Sequence, residues 1–189
     1  MNGPRERLLA ATVAHLARHG FAELRLRTLA DAIGTSHRML IYHFGSKEGL
    51  LAAVVAAVEA NQREVLAGLA RAGLPPRVAL RAFWDDVSSE ERRAHVRLFF
   101  ELAALAVGGR PGTEGLRETL VEPWIASVSA QGVAAGLSPE RARAEARLGM
   151  AVTRGLLIDL LATGDRAGVD AAMDLFLDAF VPADPSGGR

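Results

Sequence analysis

Apolar residues recur every three or four positions through almost the whole of this 189-residue chain, in stretches that glycine or proline breaks off. That period is the 3.6-residue repeat of a helix with one buried face. Leu9, Val13, Leu16 and Ala17 carry it between a first turn holding Pro4, which Asn2 can cap, and Gly20, which follows Arg18 and His19. A second short stretch covers 26–33, with Leu29, Ala30 and Ile33 inward, and Gly34 stops it; a third covers 36–44. Ser46 then caps a long helix predicted over 47–72. Its inward side is Leu50, Val54, Val58, Val65 and Leu69, and its polar face of Glu59, Asn61, Gln62 and Arg63 is suited to bridging two subdomains. Beyond Gly73-Leu74-Pro75-Pro76, helices are predicted over 77–87, 89–107 and 113–135, the last kinked or split at Pro123. The Ser138-Pro139-Glu140 start signal opens another to Thr163, a final one covers 167–181, and 182–189 reads as a flexible tail. Nine helices with no strand hairpin and no repeat make an all-α fold.

Composition agrees: half of the chain is hydrophobic, mostly alanine and leucine, and ten residues are aromatic. The absence of cysteine excludes disulfides and thiolate metal sites. No apolar run approaches the roughly 20 residues that span a bilayer, and charges interrupt Met1–Arg7 before a signal-peptide core forms, so a soluble cytoplasmic protein with no membrane partner is expected. The net charge is zero, yet residues 1–50 hold seven Lys/Arg against four Asp/Glu, and the remainder holds fifteen against eighteen. The excess is a modest pointer to a DNA-facing surface at the N-terminal end.

Enzyme chemistry finds little support. There is no phosphate-cradling glycine motif, no H-E-x-x-H and no G-x-S-x-G. Ser36 and His37 are neighbours on one helix, so their side chains diverge, and His37 and His43 are six apart, off a shared face. No catalytic residue, metal or cofactor is expected.

Residues 24–50 are the informative part: two short helices, a glycine turn, then a capped long helix. A helix that reads a DNA groove about 12 Å wide needs an inner face that locks it in place and an outer face of hydrogen-bonding side chains. Leu29, Ala30, Ile33, Leu40 and Phe44 supply the first; Ser36, His37, Arg38, Met39, Tyr42 and His43 supply the second. Ala30, Gly34, Ser36, Leu40, His43, Phe44, Ser46, Lys47, Glu48 and Leu50 also stand at the spacing of the helix-turn-helix signature of the TetR family, which this segment resembles. Two positions depart from that signature. Ile41 stands where the family usually has tyrosine, with Tyr42 next to it, and Arg25 stands where a Thr or Ser cap is usual.

The resemblance implies a ligand-responsive regulator, most often a repressor, that binds a palindromic duplex operator as a homodimer and is released by a small-molecule effector. It assigns 1–46 to the DNA-binding head, a three-helix helix-turn-helix unit, and 47–181 to a ligand-sensing and dimerisation body. DNA contacts fall to Arg25, Arg27, Thr35, Ser36, His37, Arg38, Met39, Tyr42, His43 and Lys47. Among these Arg38 is the candidate for guanine, Met39 for a thymine methyl, and Tyr42, His43 and Lys47 for phosphates. Aromatic and polar residues suited to the effector pocket are Phe83, Trp84, His95, Phe99, Phe100, Trp124 and Arg154. The dimer seam is expected along Ala146, Gly149, Met150, Thr153, Leu156, Leu157, Leu160, Ala172, Leu175, Phe176 and Ala179. A helical protein-interaction module without DNA binding is the alternative; it accounts for the helices but not for the outward face from Ser36 to His43.

Overall fold

The computed structural model describes residues 3–20, 24–111 and 113–181. Among them lie ten α-helices and no strand: α1 (Pro4–His19), α2 (Leu26–Ala32), α3 (His37–Phe44), α4 (Lys47–Arg71), α5 (Pro76–Val87), α6 (Arg93–Val107), α7 (Glu114–Thr119), α8 (Glu122–Ala134), α9 (Pro139–Thr163) and α10 (Arg166–Phe180), with a 3-10 turn at Glu90–Arg92 before α6. Of the kink or split expected near Pro123 in 113–135, the structure has the split, which makes two helices. Pro123 sits in the first turn of α8, where a missing N–H breaks no helical bond, so the split falls just ahead of it. Gly3 takes the cap position of α1, its N–H donating to Glu6 Oε2 at 3.0 Å. The cap expected of Asn2 and the tail over 182–189 lie outside the described residues.

The chain forms two compact units, Met1–Ala60 with Ala94–Leu120, and Asn61–Arg93 with Val121–Arg189. In the first, Leu16, Leu29, Ala30, Leu40, Phe44, Leu50 and Val54 make a dry centre for α1 to α4. Thr12 is fully buried there, and its hydroxyl donates to the Leu8 carbonyl at 2.8 Å, which satisfies it without a partner outside α1. The Arg5 guanidinium lies over the Phe44 ring at 5.0 Å, so the start of α1 is tied to the end of α3.

In the second unit α8 and α9 approach closely because small residues face each other. A methyl group on Gly132 would stand 3.1 Å from Ala142 Cβ, and Ala142 and Ala146, one turn apart on α9, are both buried. Helices α5 and α10 are joined differently, by a ladder of polar side chains. Arg77 pairs with Asp178 at 2.7 Å, Arg81 with Asp174 at 2.7 Å, the Trp84 indole N–H donates to Asp170 at 2.6 Å, and Arg166 donates to the Ser88 carbonyl at 3.0 Å. Numbers rise along α5 as they fall along α10, which is the register of an antiparallel pair.

The long helix α4 departs from the expected faces. Leu50 and Val54 are buried as expected, but Val58, Val65 and Leu69 are only half-buried, whereas Leu51, Val55, Glu59, Gln62 and Leu66 are buried. The stripe over 55, 59, 62 and 66 has helical spacing and includes two polar residues, so part of the polar face of α4 is interior.

Candidate nucleic-acid interface

The turn between α2 and α3 is built from Ile33 to Ser36. Gly34 has φ +71°, a conformation that a side chain would strain, and the Thr35 N–H returns to the Ala30 carbonyl at 2.8 Å. Ser36 is then the cap of α3, its Oγ accepting the Met39 N–H at 3.2 Å. These bonds fix where α3 begins, and Leu40 (1% exposed) and Phe44 (8%) fix its rotation by packing inward.

The opposite face follows from the 100° step per residue. His37, Arg38, Met39 and Tyr42 are all exposed, Tyr42 at 78%. Ser36 is exposed as well, with one lone pair committed to the cap. Arg25 and Arg27 are exposed around the start of α2, Arg25 in the cap position with no side-chain capping bond, as expected where arginine replaces a serine or threonine. Thr35 is half-buried. Lys47 is half-buried at the first position of α4, whose start is capped by Ser46 Oγ accepting the Gly49 N–H at 2.9 Å; ammonium and helix N-terminus together favour an anion.

His43 is placed differently from the other nine. It is half-buried, its Nε2 has no surface and no hydrogen-bond partner, and its ring packs edge-on to Tyr42 at 5.0 Å and Phe44 at 6.4 Å. One ring nitrogen is thus turned away from any phosphate. Its position between two outward and inward aromatics is a matter of rotamer, which spacing alone does not carry.

The seven residues expected around an effector divide between the two units. His95, Phe99 and Phe100 belong to the first, where Phe99 and Phe100 meet edge-on at 5.1 Å. Phe83, Trp84, Trp124 and Arg154 belong to the second, where Phe83 and Trp124 are 5.8 Å apart. Trp84 is only 1% exposed and its N–H is taken by Asp170, so it anchors α5 rather than offering itself to a ligand. The residue that the sequence did not single out for this role is Arg63. Its guanidinium lies over the Trp124 ring at 5.8 Å, and its Nη1 is buried without a hydrogen-bond partner.

Of the expected dimer seam, Ala146 and Leu157 are buried within the single chain, and Gly149 lies 3.8 Å from the Phe176 ring through the position a Cβ would take. Those side chains are spent inside the protomer, because α9 packs against α8 and α10. Met150, Thr153, Leu156, Leu160, Ala172 and Phe176 are half-buried, while Leu175 and Ala179 are exposed. On α9 the exposed apolar stripe is Leu148, Ala151, Gly155 and Ile158.

Residues 8–54 match the family model for bacterial regulatory proteins of the tetR family. A curated relative, the HTH-type transcriptional regulatory protein RaaS of Mycobacterium tuberculosis, is 48% identical over 44 residues, which is 23% of this chain and 20% of that protein. The chain's matches span less than half the length of the curated relatives. Similarity of fold runs much further. A TetR-family transcriptional regulator from Rhodococcus sp. superposes with a TM-score of 0.73 at 22% identity, covering 94% of this chain and 98% of that one. The multidrug binding protein EbrR, solved with ethidium, gives 0.68 at 24% identity, covering 95% and 99%. The head over 8–54, with the signature spacing of α2 to α4, matches the DNA-binding region of the tetR family of bacterial regulatory proteins, and the all-helical fold is shared along nearly the whole chain with these solved structures.

Proposed function

We propose that the chain is a ligand-responsive transcriptional regulator of the cytoplasm, most simply a repressor, which binds a palindromic operator as a homodimer and is released by a small molecule. The observation that carries this is the outward row of Ser36, His37, Arg38, Met39 and Tyr42 on a short helix braced by Leu40 and Phe44, with Lys47 at the next helix start. Such a helix fits a major groove, and the flanking cations Arg25, Arg27 and Lys47 match a phosphate backbone. The head over 1–46 contributes these contacts, and the body over 47–181 contributes sensing and pairing.

One recognition helix makes too few contacts for operator affinity, so two copies reading half-sites are required. Support for pairing comes from exposed apolar side chains on α9 and α10, namely Leu148, Ile158, Leu175 and Phe180. Their neighbours Ala151 and Gly155 are small enough for a second copy to come close. The fold neighbour solved with ethidium supports a small-molecule effector. Effector and operator then weaken each other by the same factor.

Selection of sites from random duplex DNA tests the reading. A near-palindrome whose affinity falls steeply with salt is expected. A protein indifferent to duplex DNA at low ionic strength would be the helical interaction module instead.

A further inference from the structure

Among the described residues, most arginines of the second unit have an acidic partner: Arg77, Arg81, Arg92, Arg93, Arg143 and Arg166 all do. Arg63 has none. It is half-buried on the interior side of α4, its guanidinium stands over Trp124, and its Nη1 has no surface and no acceptor. Burying Nη1 without an acceptor is costly, because water has been removed from it and nothing has replaced it. Chains keep such groups where a ligand completes them. Beside it, Phe83 and Trp124 form an aromatic pair at 5.8 Å, with both rings largely shielded from water. A tilted pair of aromatic rings next to a guanidinium with an unsatisfied N–H suits an apolar body bearing a carboxylate.

We infer that the effector of this chain is an organic anion, its carboxylate bound by Arg63 and its apolar body packed on Phe83 and Trp124. This rests on the effector site proposed above and adds the ligand's charge. A guanidinium fork accepts a carboxylate through two parallel hydrogen bonds, whereas an aromatic cation would meet a like charge, and a neutral amide would leave the guanidinium charge uncompensated. Contact with the indole ring also restrains the guanidinium, so less side-chain freedom is lost when the anion arrives.

The test uses the full chain without DNA. Thermal unfolding and tryptophan fluorescence are recorded with benzoate, salicylate, 1-naphthoate and indole-3-acetate, each beside its neutral amide. At least one carboxylate is expected to bind about tenfold or more tightly than its amide, and Arg63→Gln to erase that preference. Ligand-free Arg63→Gln is expected to melt at or above the wild-type temperature, since it removes a guanidinium whose Nη1 is buried without an acceptor. The inference is overturned if no carboxylate outperforms its amide in the wild-type protein, a comparison that needs no variant. It is equally overturned if Arg63→Gln retains the preference, or melts lower while the wild-type protein treats acid and amide alike. DNA binding plays no part in these readouts, so a chain that ignores operators yet prefers the anion would sink the regulator reading and leave this one standing.

Discussion

The carbonyl of Phe44 occupies the space in which a Cβ on residue 49 would stand, although Gly49 is inside the first turn of α4. The obstacle is backbone, so relief requires moving the end of α3 itself. Gly49→Ala, a substitution that ordinarily favours a helix, is therefore expected to destabilise the protein by about 1–3 kcal/mol, seen as a lower Tm, and to weaken DNA binding by misplacing α3. Arg38 makes a contrasting case: it is exposed and the structure gives it no partner, so Arg38→Ala is expected to leave Tm unchanged. Its cost is to fall on recognition, about 1–3 kcal/mol of specific binding with relaxed base preference at one position, read by footprinting against a panel of mutated sites. Equal base preference in that variant would remove Arg38 from the reading face. The outward row on α3 was legible from sequence because each exposed residue is fixed by its angular distance from Leu40 and Phe44. Arg63, Glu59 and Gln62 were not. Periodicity assigns polar residues to water, and only tertiary packing reveals a polar stripe turned inward.

At the scale of elements, α5 and α10 are held by charge as well as by oil. Asp170 is the busiest rung, accepting from Trp84 Nε1 at 2.6 Å and from Arg166 Nε at 2.7 Å, with Arg81 at 3.7 Å. Burial alone raises its pKa, but the bonds from Arg166 and Trp84 and the charges of Arg166 and Arg81 outweigh burial, and the carboxyl titrates below its ordinary value of 3.8. A folded-state value below the unfolded one means that the unfolded chain binds the proton first. The contribution is therefore complete above about pH 4 and is lost as pH falls through the lowered value. Asp170→Asn is expected to cost roughly 1–3 kcal/mol at neutral pH and to flatten the decline in stability below pH 4. Trp84 fluorescence would report both, since the indole donates to this carboxylate. A variant with wild-type stability would mean that the ladder is geometric and contributes nothing. The start of α9 was legible from Ser138, which caps a helix by a local rule, and the break ahead of α8 from Pro123. The ladder was not, because pairing Arg77 with Asp178 or Arg81 with Asp174 needs the antiparallel register of helices about a hundred residues apart.

At the scale of the whole molecule, the sequence conveyed the order of the helices but not which face of α9 is left over once α8 and α10 have packed. Small residues at 142, 146 and 149 signal close approach without naming the neighbour, and within one chain that neighbour is α8 for Ala142 and the Phe176 ring of α10 for Gly149. The faces available to a second copy are then the exposed ones: Leu148, Ala151, Gly155 and Ile158 on α9, and Leu175, 71% exposed, on α10. A charge at Ile158 or Leu175 has no cost in the isolated protomer, where both positions face water, but in a pair it would be buried without a partner. Ile158→Glu and Leu175→Glu are each expected to yield a folded monomer by light scattering at micromolar concentration. Affinity for a full palindrome should drop towards that for a half-site, since the second head no longer arrives with the first. Ala146→Glu should behave oppositely, lowering Tm through the interior of the protomer whatever the state of association. If Ile158→Glu and Leu175→Glu remained dimeric, pairing would have to use another surface, and the exposed stripe on α9 and α10 would need a different partner.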